Sequence, residues 1–218
     1  MRMLRRTRRR MKKKMSQFMS MAGPSHWSAV KCIMRYLQGT LEFKLCLGGI
    51  NIELRGYCDA DWAGDANERR STTWYDFFVG DGAILWNCKR QPTIALSTTE
   101  AEYMATSQST EEAIWLRKLF CDVGCVQVDA TTIMCDNQGC IALAKNPTHH
   151  SRTKHIDVQH HFIREKLESS EISLRYCPTE DMVADVLTKA LAKERHHRLA
   201  KAMGLREGNY SQSGSVGV

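Results

Sequence analysis

The chain has 218 residues, 43% of them hydrophobic, which suits one α/β domain with extensions and supplies enough apolar side chain for a packed core. Its net charge of +7 is a local property: the nine Arg and Lys residues between Arg2 and Lys14 exceed it and leave the remainder close to neutral, at −2. Nine scattered cysteines, a basic start with no apolar segment behind it and no apolar run long enough to cross a bilayer exclude a disulfide-framed or membrane-spanning class. They point to free thiols in a reducing intracellular compartment, cytoplasmic or nuclear.

Residues 1–20 combine Arg/Lys clusters with methionines and no acidic partner, the composition of a disordered arm. Such an arm binds nucleic acid or serves as a nuclear address, and it equally reads as a solvated tail. Pro24-Ser25-His26-Trp27 opens a helix with Trp27, Val30, Ile33, Met34 and Leu37 on one face, and Gly39 stops it. Residues 41–54 read as a hairpin turning at Gly48-Gly49. Its second strand feeds Gly56-Tyr57-Cys58-Asp59-Ala60-Asp61-Trp62-Ala63-Gly64-Asp65, where carboxylates arrive as a strand ends, although Asp and Gly also build ordinary turns. Residues 73–79 and 83–88 are strands joined by the tight-turn signal Gly80-Asp81-Gly82.

A short apolar strand or loop from Ile94 then leads into a helix reaching about Phe120. Two capping boxes overlap at its start, Ser97 with Glu100 and Thr99 with Glu102, so either glutamate is explained by backbone donors alone. Ala101, Ala105 and Ser109 are small and four apart, which suits a helix lying close on a sheet and holding Glu102 over it. Residues 131–135 form a β-branched, buried strand that ends at Asp136, and a helix runs from Asn137 through Ala144. A strand-to-helix junction is a favoured site position in α/β folds, and helix capping is the plainer role for Asp136 there.

The histidines around His149 and His150 precede a helix with Ile156, His160, Ile163 and Leu167 along one face. No correctly spaced second pair exists and Arg152 and Lys154 would repel a cation, so a phosphate-facing surface is the better reading than zinc. Residues 172–176 alternate as a last strand. Pro178 then begins a helix that holds Asp185 one turn in, among Met182, Val183, Val186 and Leu187, where a carboxylate must be paired, hydrated or metal-bound. Residues 190–205 continue as a basic helix, followed by a polar tail from Glu207.

Four segments in β-β-β-α-β-α-β-α order thus each offer one carboxylate: Asp59, Glu102, Asp136 and Asp185, with Asp61 and Glu100 as near alternatives. Hard oxygen ligands suit Mg2+ or Mn2+, and two such ions would serve phosphodiester hydrolysis.

Tyr57 to Asp65, Ala95-Leu96-Ser97-Thr98-Thr99-Glu100-Ala101-Glu102-Tyr103, Cys135-Asp136-Asn137-Gln138, Arg152-Thr153-Lys154-His155-Ile156-Asp157 and Ala184-Asp185-Val186-Leu187-Thr188-Lys189 occur in that order. Together they resemble the ribonuclease H region of copia-type LTR-retrotransposon Pol polyproteins, with the tobacco-type elements of plants as the comparison. The likeness extends over about residues 16–204. The resemblance implies an α/β, ribonuclease H-like fold with a mixed five-stranded central sheet flanked by helices, and hydrolysis of the RNA strand of an RNA/DNA hybrid with two Mg2+ or Mn2+ ions. The family's four metal-binding acids fall on Asp59, Glu102, Asp136 and Asp185. Asp59 is preferred to Asp61 because it directly follows the strand, and Glu102 to Glu100 because it leads the small-residue face.

The implied division is a basic arm at 1–20, a helix and strand joining reverse transcriptase to ribonuclease H at 21–48, the ribonuclease H domain at 49–192, and a C-terminal helix and tail at 193–218. The implied partners are the RNA/DNA hybrid, reverse transcriptase and other Pol segments. Trp74 and Asp76 depart from the family pattern, and the loop before the last acid, Cys177-Pro178-Thr179-Glu180-Asp181, carries no histidine. Two other readings share these residues: a catalytically inactive nucleic-acid-binding remnant, and an integrase-like nuclease, which the four-acid order and the Glu102 helix fit less well.

Overall fold

A computed structural model describes residues 19–50, 52–64, 68–146, 157–189 and 191–208. The expected basic arm, the C-terminal tail, Asp65 and the His-rich stretch at 149–156 lie outside the described residues. The chain divides into two compact units, one formed by residues 1–46 and 205–218, the other by residues 47–204.

In the first unit, α1 (Pro24–Gln38) starts as expected at Pro24, whose missing N–H costs nothing in the first turn, and ends against Gly39. The His26 ring closes the start by accepting a 3.0 Å hydrogen bond from the Gly23 N–H. The predicted apolar face is present, but Trp27 and Met34 are more than half exposed. The short strand β1 (Lys44–Leu45) pairs antiparallel with β7 (Leu205–Arg206), Lys44 opposite Arg206.

This pairing corrects the expected 41–54 hairpin. The strand that follows, β2 (Leu54–Asp61), lies in the interior of the second unit's sheet with both edges taken, by β3 (Thr72–Val79) and β5 (Thr131–Cys135), so no edge remains for a preceding strand. Gly48 and Gly49 instead form a loop that leans on the β3 to β4 turn: the Gly48 carbonyl accepts from the Asp81 N–H at 2.8 Å, and Gly49 has φ of 104°.

The second unit is a five-stranded sheet in the order β4-β3-β2-β5-β6, with β4 (Gly82–Arg90) and β6 (Ile172–Tyr176) at its edges. The first three strands are antiparallel, and β5 and β6 run parallel to β2, the mixed sheet the resemblance implies. The helices α2 (Thr98–Asp122), α3 (Gln138–Lys145) and α4 (Asp157–Glu168) fill the crossovers. Along α2, Ala101, Ala105 and Ser109 are fully buried, and their small size lets the helix lie on β2 and β3. The core beneath it gathers Cys58, Tyr75, Phe77, Ile133 and Leu174 from the sheet with Met104 and Leu116 from α2 and Ile163 from α4. Gly56 is required here, because a Cβ would stand 2.6 Å from the Phe77 ring. His160 is buried and stacked on Tyr103, ring centroids 4.2 Å apart, so it belongs to the packing and not to a basic surface.

Two C-terminal expectations need correction. The helix predicted from Pro178 is a 3-10 turn at Thr179–Asp181 and a separate short helix α5 (Asp185–Thr188), which puts Asp185 at a helix start instead of one turn in. The basic helix α6 (Lys193–Ala202) ends before 205, because Gly204 takes a φ of 86° and turns the chain into β7. Among the described residues no helix is long and apolar enough to cross a membrane.

Both departures noted in β3 are buried. Trp74 lies across the strand pair from Asp59, and Asp76 between Tyr57 and Trp86. Among the described residues, the Asp76 carboxylate has no hydrogen-bond partner beyond its own backbone N–H. Burial, with the charge of Asp59 adding to it, pushes its pKa well above the ordinary aspartate value. The folded chain therefore holds a proton that the unfolded chain releases at about pH 4, and stability falls as pH rises from there through the raised pKa. Asp76→Val is expected to raise the unfolding free energy at pH 7 by about 1–3 kcal/mol in urea titrations. The same variant should remove most of the decline that Asp76 causes between pH 4 and pH 8.

Candidate active site

The register of two parallel strands sets the site. Cys58 in β2 pairs with Cys135 in β5 as the last pair of the two strands, so the next residues, Asp59 and Asp136, emerge side by side where the pairing stops; Asp59 does not follow its strand as expected but lies within it, two residues before its end. Crevices at this end of a mixed or parallel sheet are where α/β folds place ligands. Asp59 is 1% exposed and Asp136 half-buried.

Glu102 reaches the same point from the first turns of α2. Its Oε1 accepts a 3.3 Å hydrogen bond from the Ala60 N–H, and its buried Oε2 has no hydrogen-bond partner among the described residues. Asp59, Glu102 and Asp136 each present one oxygen, and all three oxygens lie within 4.8 Å of one another. Asp136 is steadied by Thr179, whose hydroxyl donates to its Oδ2 at 3.0 Å.

Other residues perform the capping and turn roles that competed for these acids. Ser97 caps α2 by accepting from the Glu100 N–H at 3.2 Å, and Glu100 accepts from the Leu96 N–H at 2.9 Å. Glu100 is thereby spent on the helix start. Asn137, not Asp136, caps α3 by accepting from the Cys140 N–H at 2.9 Å. Asp61 accepts from the Thr72 N–H and packs against Gly64, which makes it part of the turn after β2.

Two buried acids and a half-buried one converging on one point cannot all remain charged without compensation. Burial, then the charges of Asp59, Cys135 and Asp136, push the Glu102 carboxyl up to about 10, against a smaller lowering by the Ala60 N–H. Asp136 is raised for the same first reason, burial, with Thr179 and Lys189 working the other way. The trio is therefore a place where a proton or a cation would relieve the crowding of like charge. An all-oxygen donor set of this kind suits Mg2+ or Mn2+, and the Glu102 Oε2, buried with no hydrogen-bond partner among the described residues, is an atom such an ion could take.

The fourth predicted acid is positioned differently. Asp185 is fully buried, and both its oxygens are held by cations: Oδ1 by Lys189 Nζ at 2.6 Å and Oδ2 by Arg195 Nη2 at 2.6 Å. Lys189 Nζ also stands 3.6 Å from Asp59 Oδ1 and so joins Asp185 to the trio. Arg195 donates in addition to the Thr179 carbonyl. Burial works against the charge of Lys189, but Asp59, Asp185 and Asp136 outweigh it and hold its pKa above the ordinary lysine value. Reading the sequence for acids alone missed both cations. Lys189 carried a signal, its i+4 spacing from Asp185, whereas Arg195 reaches back from α6 and had none.

No family model matches the chain. It is 42% identical over 190 residues to the Retrovirus-related Pol polyprotein from transposon TNT 1-94 of Nicotiana tabacum, covering 87% of this chain and 14% of that one. It is 36% identical over 193 residues to the Retrovirus-related Pol polyprotein from transposon RE2 of Arabidopsis thaliana, covering 88% of this chain and 13% of the other. The chain thus spans about a seventh of the length of these relatives. Among solved structures, LC11-RNase H1 isolated from compost aligns with a TM-score of 0.48 at 14% identity, over 62% of this chain and 92% of that chain. Over most of its length the chain is thus homologous to a short segment of plant retrotransposon Pol polyproteins.

Proposed function

We propose that the chain is a metal-dependent ribonuclease of the ribonuclease H type that hydrolyses the RNA strand of an RNA/DNA hybrid, with Asp59, Glu102, Asp136 and Asp185 as its metal-binding acids. The observation that carries this reading is the meeting of Asp59, Glu102 and Asp136 from a strand, a helix and a neighbouring strand on one point. The motifs' resemblance to the ribonuclease H region of Pol polyproteins, and the chain's homology to such polyproteins, support an RNA/DNA hybrid as the substrate class. Hybrid recognition would rest on A-form shape and 2′-hydroxyl contacts, with little sequence preference.

Two Mg2+ or Mn2+ ions, when bound, would lower the pKa of the attacking water and neutralise charge on the scissile phosphate and leaving oxygen. Asp59, Glu102 and Asp136 would hold one side of this centre, and Asp59 with Asp185 the other. The rest is positioning by the protein. The Ala60 N–H orients Glu102, Thr179 orients Asp136, and Asp136, the most exposed of the trio, would be the acid open to an incoming phosphate. No histidine occupies the loop at Cys177–Asp181, so proton transfer at the leaving group would fall to solvent.

One observation favours the second reading, a catalytically inactive nucleic-acid-binding remnant: the unpartnered Asp76 in the core, a destabilising feature that an enzyme under selection would not need. The two readings separate in a cleavage assay. A labelled RNA/DNA hybrid in 5′-label format should be cut in its RNA strand when Mg2+ or Mn2+ is added, and Asp136→Asn should lower the rate about 100-fold or more. A folded parent chain that cuts neither with Mg2+ nor with Mn2+ would leave the remnant as the function.

Glu102→Gln gives a test that needs no substrate. Removing a carboxyl that burial disfavours should stabilise the ion-free protein by about 1 kcal/mol at pH 8, and at the same time abolish most of the thermal stabilisation that Mn2+ confers on the parent. Scanning calorimetry with and without Mn2+ reads both effects.

A further inference from the structure

The cations around Asp185 are not equivalent. Arg195 is anchored: it bonds Asp185 Oδ2 and the carbonyl of Thr179, the residue whose hydroxyl holds Asp136. Lys189 is tethered at one end only. Its side chain is 41% exposed, it sits one turn after Asp185, and its ammonium lies between Asp185 Oδ1 and Asp59 Oδ1, at 2.6 and 3.6 Å. An ammonium on a flexible four-carbon stem can leave such a position without disturbing the backbone, which a guanidinium held at two points cannot.

We propose that the Lys189 ammonium is a built-in cation holding the place between Asp59 and Asp185, so that a divalent ion on that side binds only as Lys189 swings out. On the side formed by Asp59, Glu102 and Asp136 no Lys or Arg touches Glu102 among the described contacts, so an ion there leaves the 2.6 Å pair of Lys189 with Asp185 in place. The inference rests on the metal reading given above and adds an order to it: the trio fills first, and the Asp185 side fills second, in competition with an internal lysine. Lys189 is on this account a positioning residue. It keeps Asp185 and Asp59 from repelling one another in the ion-free protein and sets the divalent-ion concentration at which the second side is filled.

The experiment is a calorimetric Mn2+ titration of the full chain, with bound ion counted by electron paramagnetic resonance. In the parent, the second ion should bind about tenfold or more weakly than the first. Lys189→Gln should tighten the second by about tenfold and leave the first unchanged, while Lys189→Arg, which keeps the charge, should retain the gap. An unchanged gap in Lys189→Gln, or loss of the first ion in that variant, overturns the proposal. One ion in both parent and variant, with no second at any concentration, overturns it while sparing the metal reading; no ion in either overturns both. A measurement on the unaltered chain runs in parallel. Acylation of Lys189 by an amine-reactive anhydride, followed by peptide mass spectrometry, should stay low through the first equivalent of Mn2+ and rise several-fold with the second, and labelling that is flat across the titration overturns the proposal equally.

Discussion

The parallel register of β2 and β5 is the constraint from which the site follows. With Cys58 opposite Cys135, both on the side of the sheet that α2 covers, the next residue along each chain is an aspartate, and the two carboxylates emerge together where the β2–β5 pairing ends. A slip of one residue would send Asp59 to the α2 side and bring Cys58 to the site, because strand side chains alternate. The packing of Cys58, Ile133 and Cys135 under α2 therefore fixes the chemistry as well as the core. Glu102 joins from above because the small residues of α2 let the helix approach the sheet closely.

Convergence of like charges is unfavourable, and the fold meets it in two ways. On the side of Glu102 and Asp136 the compensation is left to a proton or to a metal: the Glu102 carboxyl is raised far above its normal range, and no Arg or Lys touches it among the described contacts. On the side of Asp185 the compensation is built in, as Lys189 and Arg195. A fully buried aspartate with both oxygens in charge-assisted bonds satisfies its own desolvation cost, whereas Glu102 with one orphaned oxygen does not. The site is thus asymmetric before any ligand arrives.

Much of this was legible in the sequence because the relevant signals are local. The strand ending at Asp136 and the long helix carrying Glu102 follow from β-branched content and capping residues, and the mixed five-stranded sheet is the one the family resemblance implies; the strand expected to stop before Asp59 instead runs on to Asp61, so that Asp59 lies within it. The choice between Glu100 and Glu102 was also open to reasoning, since a helix start needs one acceptor near Leu96 and the closer glutamate provides it. What failed to show was non-local. Nothing in residues 41–54 discloses that Lys44–Leu45 pairs with a strand 160 residues later, and the Gly48-Gly49 pair that signals a hairpin is used to brace another turn. The break at Met182, between the 3-10 turn and α5, and the reach of Arg195 back to Asp185 depend on tertiary contacts that no window of the sequence contains.

Asp76 and Glu102 show why a buried acid with a raised pKa does not by itself mark a functional site. Both are pushed up chiefly by burial, and both have carboxylate oxygens with no hydrogen-bond partner from another residue. The difference lies in what surrounds those oxygens. Glu102 faces two other carboxylates, one of them open to solvent, and a backbone N–H orients it, so a cation arriving there gains three ligands at once. Asp76 has Tyr57 and Trp86 as its cross-strand neighbours in the middle of a sheet, and among the described residues it belongs to no cluster of three or more converging ligand groups. Neutralising Glu102 by mutation would remove one of three converging carboxylates; neutralising Asp76 would remove only a cost. The two residues carry the same electrostatic signature, and convergence of ligand atoms is the property that separates a functional acid from a misfit.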